Sequence, residues 1–197
     1  MSGTNVARDF VEMFSQFNEN FAFVPEILAD YANNCYTGEP IPASLVEKIR
    51  KSLQFNQGFA AGETCAASIL DMKWHELSVD QLATFQGPED IRAFEDKVCK
   101  EMGLIDEIIP RYRTSYFNHI IGSGYSAGYY SYLWSEVLAV DAWEKFKEDG
   151  IFNKETASAF RKTFLEKGGS EEPMILYKQF RGADPDPSAL MRARGLN

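Results

Sequence analysis

Between residues 5 and 23, apolar side chains return every three or four positions, at Val6, Phe10, Phe14, Phe17 and Phe21, while Asp9, Glu12, Gln16 and Glu19 recur on a second stripe. Two interleaved stripes of this period predict an amphipathic helix over 5–23. Pro25 then restarts the chain into a short helix reaching Ala32, and "TGEPIPAS" reads as a turn-rich connection. Leu45, Ile49, Leu53, Phe59, Ala66 and Leu70 mark a buried stripe along a second long helical region over 45–73. Gly58 and Gly62 weaken that region locally, and close packing of a neighbouring helix accounts for them. "FQGPEDI" has proline and acidic residues where a helix begins, so a helix is expected from Pro88 to Met102. Beyond an irregular stretch, "IPRYRTSYFNHIIGSG", an aromatic helix is expected over 126–148, ended by Asp149 and Gly150. Further helices are expected over 153–166, 171–180 and 187–194, with Gly168 and Gly169 as a stop and Ser170 as a cap. No strand pair, repeat or low-complexity linker interrupts this pattern, and the fold class it predicts is all-α, a single helical lobe over 1–197.

The segment "HIIGSGYSAGYYSYLW" brings chemistry into the picture. On a helix, Tyr125, Tyr129, Tyr132 and Glu136 follow at steps of four, three and four and share one face. Tyr130, Leu133, Trp134, Val137 and Val140 take the opposite side, which is suited to a core. A row of phenols has two readings: the wet edge of a core helix, or a set of donors facing a cleft where a substrate carbonyl sits. The preceding "GSG" permits backbone conformations closed to other residues, which would let His119 and Tyr125 swing when a ligand binds. His119 is one of two histidines and has both a structural and a catalytic reading; His75, in "KWHELS", reads as a surface turn and is given no role. On the first helix Asp9 and Glu12 lie one turn apart. A carboxylate there suits a metal, yet Arg8, four residues before Glu12, explains the spacing equally well as an exposed ion pair.

Composition narrows the partners. With 45% hydrophobic and 14% aromatic residues the 197-residue chain can fill a core. A net charge of −9 without a basic stripe argues against nucleic acid and anionic membranes. No run of apolar residues long enough for a membrane span appears, nor a charged-then-apolar leader. Cys35, Cys65 and Cys99 are odd in number and far apart, without a CxxC; they read as packing residues, and the expected compartment is the reducing cytoplasm.

"SGTNVARDFVE", then "HIIGSGYSAGYYSYLWSEV", "GGSEEP" and "FRGADPDPSALMRARGL" in that order resemble the C-terminal part of the thimet oligopeptidase and peptidyl-dipeptidase (Dcp-like) family of zinc metallopeptidases. The resemblance covers almost the whole chain, and the six-residue spacing from His119 to Tyr125 is that of the Dcp branch. It implies a multi-helical C-terminal lobe of a neurolysin/thimet-oligopeptidase-like fold, with a zinc-glutamate helix region over 1–34 and a substrate-gripping loop and helix over 115–148. In such enzymes zinc is held by the two histidines of an HExxH helix and a glutamate from a later helix, and the HExxH glutamate is the general base. By that resemblance Glu12 is the zinc glutamate. His119 and Tyr132 are implied as catalytic residues, Tyr132 as the oxyanion donor; Tyr125, Tyr129 and Gly124 are implied to contact substrate, the glycines letting the loop close over it. Phe14 stands where the family usually has proline, and Ser123 replaces a common loop glycine.

With only His75 and His119 present, the sequence contains no HExxH. The expectation is a C-terminal fragment that begins just past that motif, retains no zinc by itself and cleaves no peptide alone. Its implied substrates are short peptides, with dipeptide release favoured. The apolar face of the first helix, including several of Val6, Phe10, Phe14, Phe17 and Phe21, should then be exposed and invite a missing N-terminal half or self-association. A non-catalytic helical module that binds peptides without metal chemistry is the alternative. In either case Glu12, His119 and Tyr132 are expected around a common hollow.

Overall fold

The computed structural model describes residues 5–196. In chain order its helices are α1 (Arg8–Val11), α2 (Met13–Glu19), α3 (Pro25–Tyr31), α4 (Ala43–Leu53), α5 (Gln57–His75), α6 (Val79–Leu82), α7 (Pro88–Glu101), α8 (Asn118–Ile121), α9 (Ser131–Asp149), α10 (Lys154–Phe160), α11 (Pro173–Arg181) and α12 (Pro187–Arg194). Among the described residues the sole β pairing outside the helices is an isolated bridge between Asn33 and Pro40. The fold is all-α, and no described helix is long and apolar enough to cross a membrane.

Local chemistry explains most boundaries. Pro25, Pro88, Pro173 and Pro187 each open a helix, where the missing N–H costs nothing. Asn153 caps α10 by accepting the Glu155 and Thr156 amides, Asp186 caps α12 through the Ser188 amide, and Ser78 forms a reciprocal box with Gln81 ahead of α6. Ser170, expected as a cap, instead lies in a short 3-10 turn, Gly168–Ser170, and α11 starts after Glu172 without a side-chain cap.

Two expected helices are broken. The first is interrupted at Glu12, whose carbonyl accepts both the Gln16 amide (3.1 Å) and the Ser15 hydroxyl (2.9 Å). The break lies on the amide side, where the Glu12 N–H turns to the Phe10 carbonyl instead of continuing the helical ladder. The second long region divides into α4 and α5 at Asn56, which adopts φ 56°, a left-handed conformation asparagine tolerates better than most residues.

The described residues group into two compact units, one of residues up to Gln57 with those from Trp134 onward, the other Gly58–Leu133. In the first unit, Phe10, Met13 and Phe17 from the opening helices pack with Leu138, Trp143 and Phe146 of α9 and with Phe160, Phe164 and Phe180. Phe17 stacks on Phe160 with ring centroids 4.4 Å apart. Val6, Phe14 and Phe21 pack against the same core, so the expected exposed face of the first helix is not found. Burial of each large ring from water contributes roughly 1.5–3 kcal/mol, reason enough for these side chains to turn inward. At the edge of this core the buried Tyr177 hydroxyl donates to Asp141 (2.6 Å), while Arg181 reaches Asp141 and grips Glu148 through two nitrogens. Burial, then the Asp141 carboxylate, push the Tyr177 phenol far above the ordinary tyrosine range.

The second unit holds a smaller core of Ala67, Phe117, Ile120 and Tyr129, joined by Trp74, Tyr112 and Tyr132. Trp74 also packs on Phe85 and Phe94 and donates through Nε1 to the Thr114 hydroxyl at 2.8 Å. The stripe expected along 45–73 is buried only at its end: Ala66 and Leu70 are inside, whereas Leu45, Leu53 and Phe59 are exposed. Of its two glycines, Gly58 has open space, and Gly62 is approached by the Ile108 side chain, from a loop and not from a helix. Cys35 and Cys65 are exposed, which leaves only the half-buried Cys99 with a packing role.

Replacing Phe17 by alanine should cost about 3–5 kcal/mol, because the vacated space is bounded by several rings that cannot all collapse into it. Urea unfolding followed by circular dichroism checks this; a loss below about 1 kcal/mol would show that Phe17 does not hold the first core together.

Candidate functional site

The aromatic helix begins later than its pattern suggests, at Ser131, so Tyr125 and Tyr129 lie on the turn before it and Tyr132 in its first turn. Their grouping survives by another route. Tyr125 stacks on Tyr132 with centroids 5.2 Å apart and planes at 13°, and Tyr129 meets Tyr132 at 5.3 Å. His119, on α8, packs edge-on against all three at 5.9, 5.8 and 5.2 Å for Tyr125, Tyr132 and Tyr129. Tyr112, absent from the row expected from spacing, packs against His119 at 5.0 Å and against Tyr129 at 5.8 Å, and stacks on Phe117.

The glycine loop is tied down by hydrogen bonds. The His119 carbonyl accepts the Tyr125 amide (2.9 Å) and the Ser123 hydroxyl (3.0 Å), and the Ile120 carbonyl accepts the Ser126 hydroxyl (2.6 Å). Gly124 makes this possible by adopting φ 81°, a region where a Cβ would be strained. Ala127 adopts φ 51° despite having a Cβ.

The group that holds the turn comes from α5. Asp71 is fully buried, and its two carboxylate oxygens accept the main-chain N–H groups of Ala127 (2.9 Å) and Tyr129 (2.8 Å). His75, one helical turn further on, places Nδ1 2.9 Å from an Asp71 carboxylate oxygen and 2.8 Å from its carbonyl. With its proton on Nδ1, His75 donates to Asp71. The Ala127 N–H, nearer to the carboxylate than to Nδ1 at 3.3 Å, then pairs with the carboxylate. The available signal was "DMKWH", an aspartate and a histidine four apart on a helix, with the aspartate interrupting an apolar run.

The expected tyrosine row therefore divides. Tyr129 is 4% exposed, with its ring in the second core, and burial chiefly, then the neighbouring Tyr112, raises its phenol above the ordinary range. Tyr125, Tyr132 and His119 are half-buried and Gly124 is exposed. On the opposite side Val137 is buried and Trp134 packs against the first core as expected, whereas Tyr130 is exposed; α9 also buries Leu138, Ala142, Trp143 and Phe146. Glu12 lies in the other unit, half-buried at the junction of α1 and α2, where its carboxylate is 3.1 Å from the Ser15 hydroxyl oxygen. Among the described residues no group of three or more His, Cys, Asp and Glu side chains could hold a metal ion. The donors present thus do not fit a complete zinc site.

An all-α chain whose chemistry-bearing residues gather on a glycine turn entering a long helix is matched over residues 1–196 by a family model, that of peptidase family M3. The chain belongs to this family of peptide-cleaving metallopeptidases. It is 42% identical over its full length to a dipeptidyl carboxypeptidase of Escherichia coli (strain K12). It is 36% identical over 98% of its length to oligopeptidase A of the same organism, and 33% identical over 98% to an organellar oligopeptidase A, chloroplastic/mitochondrial, of Arabidopsis thaliana. The chain spans 28%, 28% and 24% of the lengths of these three relatives.

The buried phenol gives a direct check. In a spectrophotometric pH titration of the nine tyrosines, Tyr129→Phe should remove one phenol from the late-ionising group and leave the early phenols unchanged. If the variant instead loses an early-ionising phenol, Tyr129 is not buried in solution.

Proposed function

We propose that this chain is the substrate-gripping part of a zinc-dependent metallopeptidase that cleaves short peptides. The observation that carries the reading is the convergence of His119, Tyr125 and Tyr132 on one hydrogen-bonded turn, in a chain that belongs to a peptidase family. A peptide backbone offers carbonyl acceptors, and phenol and imidazole groups on a pre-set turn are suitable donors for them. In this reading Tyr132 donates to the oxyanion, His119 assists it, and Tyr125 with the Gly124 backbone aligns the substrate. Tyr129 supports the others from the core. Glu12 would supply one carboxylate toward zinc, and the described residues offer no complete ligand set beside it. One carboxylate with water holds a borderline-soft ion too weakly for catalysis, so the chain alone is expected to be inactive. The match to a dipeptidyl carboxypeptidase supports release of dipeptides.

The test is complementation. A quenched short peptide and zinc are supplied to this chain alone and to this chain joined to the remaining part of the E. coli dipeptidyl carboxypeptidase relative. Cleavage is expected only in the second case. There Tyr132→Phe should lower kcat by about 10²- to 10³-fold, the usual cost of one oxyanion donor, and Glu12→Gln should abolish bound zinc in metal analysis. Metal-dependent turnover by the chain alone, or full activity of Tyr132→Phe, would contradict the assignment.

A further inference from the structure

We infer that Asp71, backed by His75, is the positioning residue that sets the peptide-gripping turn before substrate arrives. The inference rests on the functional reading above for its purpose, but its geometry stands independently. Three observations converge on it. A fully buried carboxylate is costly unless hydrogen-bonded, and Asp71 is satisfied by the two amides that flank Gly128 together with His75. Those amides belong to a stretch that does not hold its shape cheaply: Ala127 sits at φ 51°, where a Cβ crowds the backbone. Gly128 follows, and a Cβ there would lie 3.3 Å from the Tyr125 carbonyl oxygen. The left-handed step at Ala127 is thus the costly part of the turn, and the carboxylate is what makes that form the stable one.

The consequence reaches the rings directly. Fixing the Tyr129 amide fixes the origin of its side chain, which enters the second core beside Phe117 at 4.9 Å. That ring is in turn the surface against which His119 and Tyr132 rest. Asp71 touches neither substrate nor metal in this scheme and acts through the turn. Its effect on catalysis would come from orientation, where a displacement of about 1 Å can cost about 10²-fold in rate.

Asp71→Asn separates positioning from bulk. The amide is nearly isosteric, yet one oxygen can accept only one of the two N–H groups well, and the new NH₂ faces the other. Amide hydrogen exchange and ring-current shifts measured by NMR on the 197-residue chain should show faster exchange at Ala127 and Tyr129, by at least about tenfold, and altered shifts at His119 and Tyr132. Exchange along α7 should stay as it was. Adding Ala127→Gly to Asp71→Asn should restore part of the protection, because glycine adopts the left-handed conformation without strain. In the complemented peptidase, Asp71→Asn should lower kcat about 10- to 100-fold. The inference is overturned if exchange at Ala127 and Tyr129 is unchanged, if it rises equally throughout the second unit, or if an active complemented enzyme keeps its full rate. Failure of the wild-type complemented enzyme to cleave peptide would instead sink the functional reading, while the exchange result would still decide whether Asp71 sets the turn.

Discussion

A single buried carboxylate meeting two main-chain amides, Asp71 against Ala127 and Tyr129, sets the turn from which the Tyr129 ring enters the core beside His119 and Tyr132. The chain contains many rings, but rings pack in many ways, and apolar burial alone does not choose among them. Hydrogen bonds to a buried charge are directional and expensive to lose. They select one arrangement of a turn whose left-handed alanine would otherwise make that arrangement unfavourable. His119, Tyr125 and Tyr132 inherit their mutual geometry from that choice.

Much of the fold was legible because its signals are local. Pro25, Pro88 and Pro187 at helix starts and Gly150 after the aromatic helix act within a few residues of the boundaries they set, whereas the Asn153 and Asp186 caps emerge only in the structure. The phenylalanine stripe of the first helix was legible as a stripe, though not as a core. The fragment reading placed it at the surface, whereas Phe10 and Phe17 are each 2% exposed, packed with rings from α9 and beyond. What pattern could not show were the misdirected amide at Glu12, bonded to the Phe10 carbonyl, and the left-handed step at Asn56.

The candidate site was legible in part for a related reason. Spacing alone brought Tyr125, Tyr129 and Tyr132 together on a helix, and the structure brings them together on a turn followed by a helix. The grouping held although its geometric basis did not. Asp71 escaped notice because its partners lie 56 and 58 residues away, and no local periodicity reports a bond of that range. His75 reads from its neighbours as a surface residue, and it is accessible on one side, while its Nδ1 faces the carboxylate that holds the turn.

The two units divide the proposed chemistry, with the carboxylate Glu12 in one and the gripping rings in the other. The most direct test of the account is ring-to-ring proximity in solution, observed by nuclear Overhauser effects on the 197-residue chain before and during addition of a short peptide. The account predicts effects between Tyr125 and Tyr132 and between His119 and Tyr132 in the free chain, with peptide shifting His119, Tyr125 and Tyr132 while the Phe117 ring stays in place. Rings that show no mutual effects, or a peptide response centred elsewhere, would contradict it.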